Sequence, residues 1–208
     1  MMTEMTMTPD AHAANAHADS AKARKAMIDS QLRTSGVNEE FALARMLNVP
    51  REDFLPQDKQ ALAYIDRSVA LPGGALASPL FYGKVLLEAA PVATDRALVV
   101  ENGTKYLATL LAPLVESVET ISAERAATGP IEGTYSLIVI DGAIEQLSAS
   151  LAAALGEDGR IVSGLVLRQV TRLASGRRVM DQVALQPIED LGIPILSAFD
   201  APKSWTFS

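Results

Sequence analysis

Apolar residues recur at helical spacing in the first third of the chain, fuse into continuous runs in the middle, and alternate with polar residues near the end. From Ser20, the expected N-cap of a first helix, Met27, Ile28 and Leu32 fall on one face, and Gly36 supplies the stop. A second helix is predicted from a cap at Asn38 to Asn48, burying either Phe41 and Leu43 or Met46 and Leu47, with Pro50 ending it. The stretch PREDFLPQDKQALAY reads as short helical turns, so residues 20–72 form a helical lead-in.

Residues 73–208 follow another pattern and read as an α/β core. A loop of small residues, LPGGALASP (71–79), precedes a helix with Ser78 as cap and Pro79 at its first position. Apolar runs at DRALVVE (95–101), SVETIS (117–122), YSLIVIDG (135–142) and RIVSGLVL (160–167) have the character of buried parallel strands. Helices are predicted between them, over Tyr106–Leu114 and Gln146–Leu155, with a GEDG turn after the second. Alternation of strand and helix predicts a mostly parallel sheet with helices on both faces. LVLRQVTRL (165–173), a turn at ASGR, and RVMDQVALQP (178–187) read as a closing antiparallel hairpin. The first 19 residues lack periodicity and read as a disordered leader.

Composition then removes chemistry. Among 208 residues there is no cysteine, so disulfides, thiolate metal sites and cysteine nucleophiles are excluded. Both histidines, His12 and His17, fall in the leader, where they read as parts of a solvated tail, and no metal site is expected. Histidine triads and imidazole acid–base catalysis are therefore not expected in the folded body. A net charge of −7 argues against a nucleic-acid groove. The longest apolar runs, such as Leu107–Val115, fall well short of the roughly 20 residues of a membrane span, so no membrane partner is expected. With no secretion signal in the leader, the expected address is cytoplasmic.

Three segments carry a family resemblance. RKAMIDSQLRTSGV, MLNVPREDFLP and AYIDRSVALPGG resemble the N-terminal signature of protein-L-isoaspartate O-methyltransferases. Arg24, Met27, Gln31 and Leu32 match its R-x-x-M-x-x-x-Q-L pattern, and Val49, Pro50, Arg51, Glu52, Phe54 and Pro56 its V-P-R-E-x-F-x-P segment. Residues 135–162 follow the family's fourth strand, helix and fifth strand without a gap, and the resemblance spans Ala21 to Ser208.

The resemblance implies a Rossmann-like methyltransferase sheet, the cofactor S-adenosylmethionine, and methyl transfer to isoaspartyl or D-aspartyl carboxylates of a protein or peptide substrate. Its glycine-rich loop falls on Asp95–Tyr106, where the acid becomes Val99, the outer glycines become Glu101 and Lys105, and Gly103 survives beside Asn102. If either replaced glycine needs a positive φ, a side chain there is strained. Glu101 and Lys105, four residues apart, could instead pair and cover the site. The ribose-binding acid falls on Ser122, with Glu124 two residues on. Only the twelve residues 123–134 separate the second and third core strands, too few for the family's adenine-side helix, strand and loop. The sheet should thus be shortened at that side, and an apolar edge left bare there would favour a homodimer. Two substrate-loop hydroxyls become Ala75 and Ala77, leaving Ser78 as the one catalytic candidate, in competition with its capping role. Asp141 and Gly142 end the clearest strand, where they read as a helix-capping turn or as part of a ligand site. Two functions follow: the family's methyl transfer, or a catalytically silent scaffold that binds another protein or itself.

Overall fold

The computed structural model describes residues 9–180 and 182–201. Its first helix, α1 (Pro9–Met27), starts well before Ser20, so residues 9–19 of the expected disordered leader are helical and Ser20 is not a cap. Residues 1–8, and the side chains of His12 and His17, lie outside what is described. The helix runs on through a wider turn at Ile28–Leu32 and a tight one at Arg33–Ser35, and Gly36 closes it at φ 86°. Helix α2 (Glu40–Asn48) starts one residue later than expected, with Glu39 rather than Asn38 at the cap position. It buries Ala42, Leu43 and Met46, one residue from each expected pair, and leaves Phe41 and Leu47 exposed.

The lead-in is held by its own signature residues. Arg24 Nη2 donates to Glu52 Oε1 at 3.0 Å and its Nε to the Tyr64 hydroxyl at 2.7 Å, while that hydroxyl donates to Glu52 Oε2. Gln31 Nε2 reaches the Tyr64 carbonyl at 2.9 Å. The two halves of the sequence signature thus bond to each other across the turns Arg51–Phe54 and Gln57–Leu62.

The expected loop at 71–79 contains a small antiparallel hairpin, β1 (Val69–Leu71) and β2 (Gly74–Leu76), followed by α3 (Pro79–Ala89). The core then runs β3 (Arg96–Glu101), α4 (Tyr106–Leu111), β4 (Ser117–Ser122), α5 (Ala123–Thr128), β5 (Tyr135–Ile144), α6 (Ala149–Ala154) and β6 (Leu155–Leu167). Strands β7 (Val170–Val179), β8 (Gln182–Val183) and β9 (Gln186–Asp190) complete it. Among the described residues the sheet order is β4-β3-β5-β6-β7, with β8 and β9 both pairing β7; the first four strands are parallel and the rest antiparallel. One face buries Val99, Val139 and Val162 against the lead-in, α3 and α4. The other buries Leu98, Val100, Ile138 and Ile140 against α5 and α6.

Four expectations need correction. The helix after β5 is only Ala149–Ala154, because Ser148 caps it through the Leu151 amide at 3.2 Å. The GEDG segment lies within β6 as an irregularity, where Asp158 takes φ 57°. The hairpin turn is not at ASGR but at Arg168–Gln169, both left-handed at φ 51° and 66°, which suits a two-residue hairpin turn. Asp141 and Gly142 sit inside β5, not at its end. The crossover from β4 to β5 holds one short helix and no strand, so the sheet stops at β4. Glu119, Thr120 and Ser122 are exposed on β4 and no residue of it is buried, so this edge is not the apolar one from which a homodimer was expected. No described helix is long and apolar enough to cross a membrane.

An ion pair bolts the sheet together at the opposite end from the site. Asp95, 3% exposed, accepts from Arg160 Nη1 and Nη2 at 2.9 and 2.5 Å, from Ser136 Oγ at 2.7 Å and from the Val92 amide at 2.8 Å. Burial raises its pKa, but the Arg160 bonds and these other donors outweigh burial and hold it below the usual carboxylate value. A lowered carboxylate pKa stabilises the fold above its unfolded value and is lost as pH falls through the folded one. Arg160→Leu should therefore cost about 3 kcal/mol in urea unfolding at neutral pH, because Asp95 stays buried without its counter-ion, and the deficit should shrink as the pH is lowered below 4.

Candidate ligand cleft at the carboxyl ends of the strands

The carboxyl ends of β4, β3 and β5 open into a cleft of about 460 Å³, within the range of small-molecule sites. Gly73 and Gly74 of the hairpin turn line it, together with Glu101–Gly103, Ser122–Glu124 and Ile195–Ala198. The hairpin sits directly on the loop after β3. The Ala75 amide donates to the Asn102 carbonyl at 3.0 Å, and a Cβ on Gly74 would lie 2.3 Å from that carbonyl oxygen. Gly103 takes φ +79°, and a Cβ there would approach the Gly73 carbonyl oxygen to 3.1 Å. Glycine is needed at both positions because two backbones meet.

Neither replaced glycine is strained. Glu101 ends β3 as an ordinary strand residue, and Lys105 takes φ −96° ahead of α4. The two form no ion pair: Lys105 is exposed, and Glu101 is half-buried with Oε1 lacking a hydrogen-bond partner. Asn102 Nδ2 also lacks one. An acceptor and a donor without partners thus belong to consecutive residues that line the cleft. Ser122 caps α5 by accepting from the Arg125 amide at 3.4 Å. Glu124 is fully exposed, and bonds from its own backbone amide and the Ser122 hydroxyl hold its carboxyl below the usual value. Its carboxylate, not the Ser122 hydroxyl, is the anionic acceptor of this wall.

Ser78 is committed to capping, since its Oγ accepts from the Phe81 amide at 3.2 Å. Ala75 and Ala77 are buried and offer nothing to a substrate. Gly142 lies under the C-terminal segment, where a Cβ would come within 2.7 Å of Leu196 Cγ. Asp141 caps no helix and is fully buried, its Oδ2 accepting from the Tyr82 hydroxyl at 3.2 Å and its Oδ1 unpaired. Since Val100 pairs with Ile140 in register, Glu101 and Asp141 follow on adjacent strands and share the face of α3 and α4.

Beside Asp141 lies a cluster that the sequence did not announce. Arg51, 0% exposed, donates from Nε to the Ala63 carbonyl and from Nη2 to the Ala77 carbonyl, each at 2.7 Å. Its guanidinium lies 5.3 Å from the Tyr82 ring centre and 5.1 Å from that of Tyr106, and the two rings meet edge to face at 4.8 Å. Matching the signature marked Arg51, but nothing in the sequence distinguished a buried arginine from a solvated one.

The chain's similarities agree with this geometry. The family model described as Protein-L-isoaspartate(D-aspartate) O-methyltransferase (PCMT) matches residues 22–132. The chain belongs to the protein-L-isoaspartate O-methyltransferase family. Relatives named Protein-L-isoaspartate O-methyltransferase include those of Methanoculleus marisnigri, 30% identical over 67% of this chain and 76% of the relative, and Koribacter versatilis, 32% over 67% and 74%. That of Roseiflexus sp. (strain RS-1) is 28% identical over 90% of this chain and 96% of its own. Two solved structures share the fold. A Plasmodium falciparum structure described under the same family name, in complex with S-adenosyl-L-homocysteine, superposes with TM-score 0.63 at 15% identity, over 84% of this chain and 96% of that one. Another protein-L-isoaspartate O-methyltransferase superposes with TM-score 0.65 at 12% identity, over 82% and 64%.

Burial pushes the Asp141 carboxyl up to about 7; the Tyr82 hydrogen bond and the Arg51 charge oppose the rise, and the Glu101 charge adds to it. A carboxyl raised in the fold contributes stability that is fully present below its unfolded pKa and is lost as pH rises through the folded one. Asp141→Asn, which cannot ionise, should therefore gain stability relative to the parent chain between pH 4 and pH 8, read as the difference in urea midpoints. An unchanged difference across that range would contradict the assignment.

Proposed function

We propose that the chain binds S-adenosylmethionine in the cleft at the ends of β3, β4 and β5 and carries out the family's methyl transfer to a carboxylate of a protein substrate. The observation that carries this reading is the pair of unpartnered polar atoms beside the cleft, Glu101 Oε1 and Asn102 Nδ2, next to the left-handed Gly103. A buried donor and acceptor left unpaired cost free energy unless a ligand or water completes them. An amino-acid zwitterion offers what they lack: an ammonium for Glu101 and a carboxylate for Asn102 Nδ2. Glu124, an exposed carboxylate of the cleft, would accept from the ribose hydroxyls. The residues fit the cofactor by different contacts from the family's glycine loop and ribose acid.

When bound, S-adenosylmethionine supplies a methyl group on a positively charged sulfur. The side chains here position the reactants and shield them from water, which is the main demand of a transfer to an already nucleophilic carboxylate. Arg51 and Tyr82 fix Ala77, beside the hairpin whose glycines line the cleft. No residue is needed to move a proton.

Ala75 and Ala77 favour a second reading, in which the cleft keeps its ligand but the isoaspartyl acceptor is no longer gripped and the protein acts as a silent binding scaffold. Two measurements separate these. Titration calorimetry with S-adenosylhomocysteine is expected to give micromolar binding, weakened about tenfold in Glu101→Gln; no heat at millimolar ligand overturns the cofactor reading. Radiolabelled methyl transfer to an isoaspartyl peptide is expected alongside binding, and binding without transfer leaves the scaffold.

A further inference from the structure

The cleft's walls divide by chemistry. Glu101, Asn102 and Glu124 are polar, whereas Ile195, Leu196 and Ala198 are apolar and come from one segment far along the chain. That segment is firmly built in. Ile195 bridges Ala143 of β5, with the Ala143 amide donating to the Pro194 carbonyl at 2.8 Å and the Leu196 amide to the Ala143 carbonyl at 2.9 Å. Leu196 fits because residue 142 has no side chain. Beyond it, the turn Ser197–Phe199 buries Phe199 in the core that also holds Ala123 and Ala126 of α5, and the Ala201 amide donates to Glu145 Oε2 at 2.7 Å. The strap therefore lies across the end of β5 and against α5, over ground that the twelve-residue crossover from β4 is too short to cover.

Resting on the cofactor reading above, we propose that residues 195–198 form the nucleobase wall of the site, so that the C-terminal strap takes the place of the missing crossover segment. A ligand with an ionic amino-acid end and a flat, weakly polar ring has only one orientation that matches these walls. Its charged end meets Glu101 and Asn102, its sugar meets Glu124, and its ring lies on Ile195 and Leu196. Ile195 is 53% exposed and lines this cleft as well as the neighbouring one beside Arg67 and Ser78. Covering it with a ring removes apolar surface from water.

The test uses two probes on the full chain: S-adenosylhomocysteine, and 5′-methylthioadenosine, which lacks the amino-acid end. Ile195→Asp should weaken both by about tenfold or more, whereas Glu101→Gln should weaken S-adenosylhomocysteine and leave 5′-methylthioadenosine unchanged. Because Ile195 is largely exposed, the variant should keep the parent's melting temperature; Ile195→Ser, without the added charge, should weaken both probes in the same order. If the parent and Ile195→Asp bind S-adenosylhomocysteine equally, the wall assignment falls and the cofactor reading stands. Tighter binding by the variant would mean that the strap obstructs the cleft, which also overturns the assignment. If the parent binds neither probe, the cofactor reading itself has failed.

Discussion

The β1–β2 hairpin wall of the cleft is positioned from a guanidinium sealed away from water. Burying a charge is costly unless hydrogen bonds and polarisable neighbours surround it. Arg51 is held by two backbone carbonyls, Ala63 and Ala77, and by the faces of Tyr82 and Tyr106, while its Nη1 has no hydrogen-bond partner. Those four groups belong to the lead-in, the link between β2 and α3, α3 itself and the start of α4, so one side chain ties four segments together. The β1–β2 hairpin is held as a result, and through Gly74 it holds the loop after β3. Asp141 belongs to the same arrangement: its carboxyl touches Tyr82 and feels the Arg51 charge.

Several local signals are legible in the sequence, although the caps expected at Ser20 and Asn38 lie elsewhere. Ser78 as a cap, Pro79 behind it and the continuous apolar strands follow from neighbours a few residues away. Two other misplaced features are governed from a distance. Gly176 looked like a turn, yet it lies in β7 paired with Ile161, and the actual turn at Arg168–Gln169 contains no glycine at all. Gly142 looked like the end of a strand, but its missing side chain makes room for Leu196, fifty-odd residues later.

The site follows the same division. Erosion of the glycine loop was plain from Glu101 and Lys105, and so was the shortened crossover, because each is a matter of residue identity and count. Their consequence was not plain. Glu101 neither strains the backbone nor pairs with Lys105; it leaves one carboxylate oxygen unpartnered next to a cleft that is still open. The contribution of residues 195–198 could not be read from the sequence, since nothing in PILSAF marks it as a neighbour of β5.

The strap also orders the events of folding in time. During synthesis, elements fold in the order in which they emerge, and contacts between distant residues close last. The lead-in, the parallel strands and the Arg51 cluster all precede Pro194 along the chain. Half of the cleft therefore exists as an open shelf on a largely formed domain until its final wall swings back across β5. The core waits on the same segment, because Ile193, Leu196 and Phe199 are buried in it, so closing the cleft and completing the core are one event.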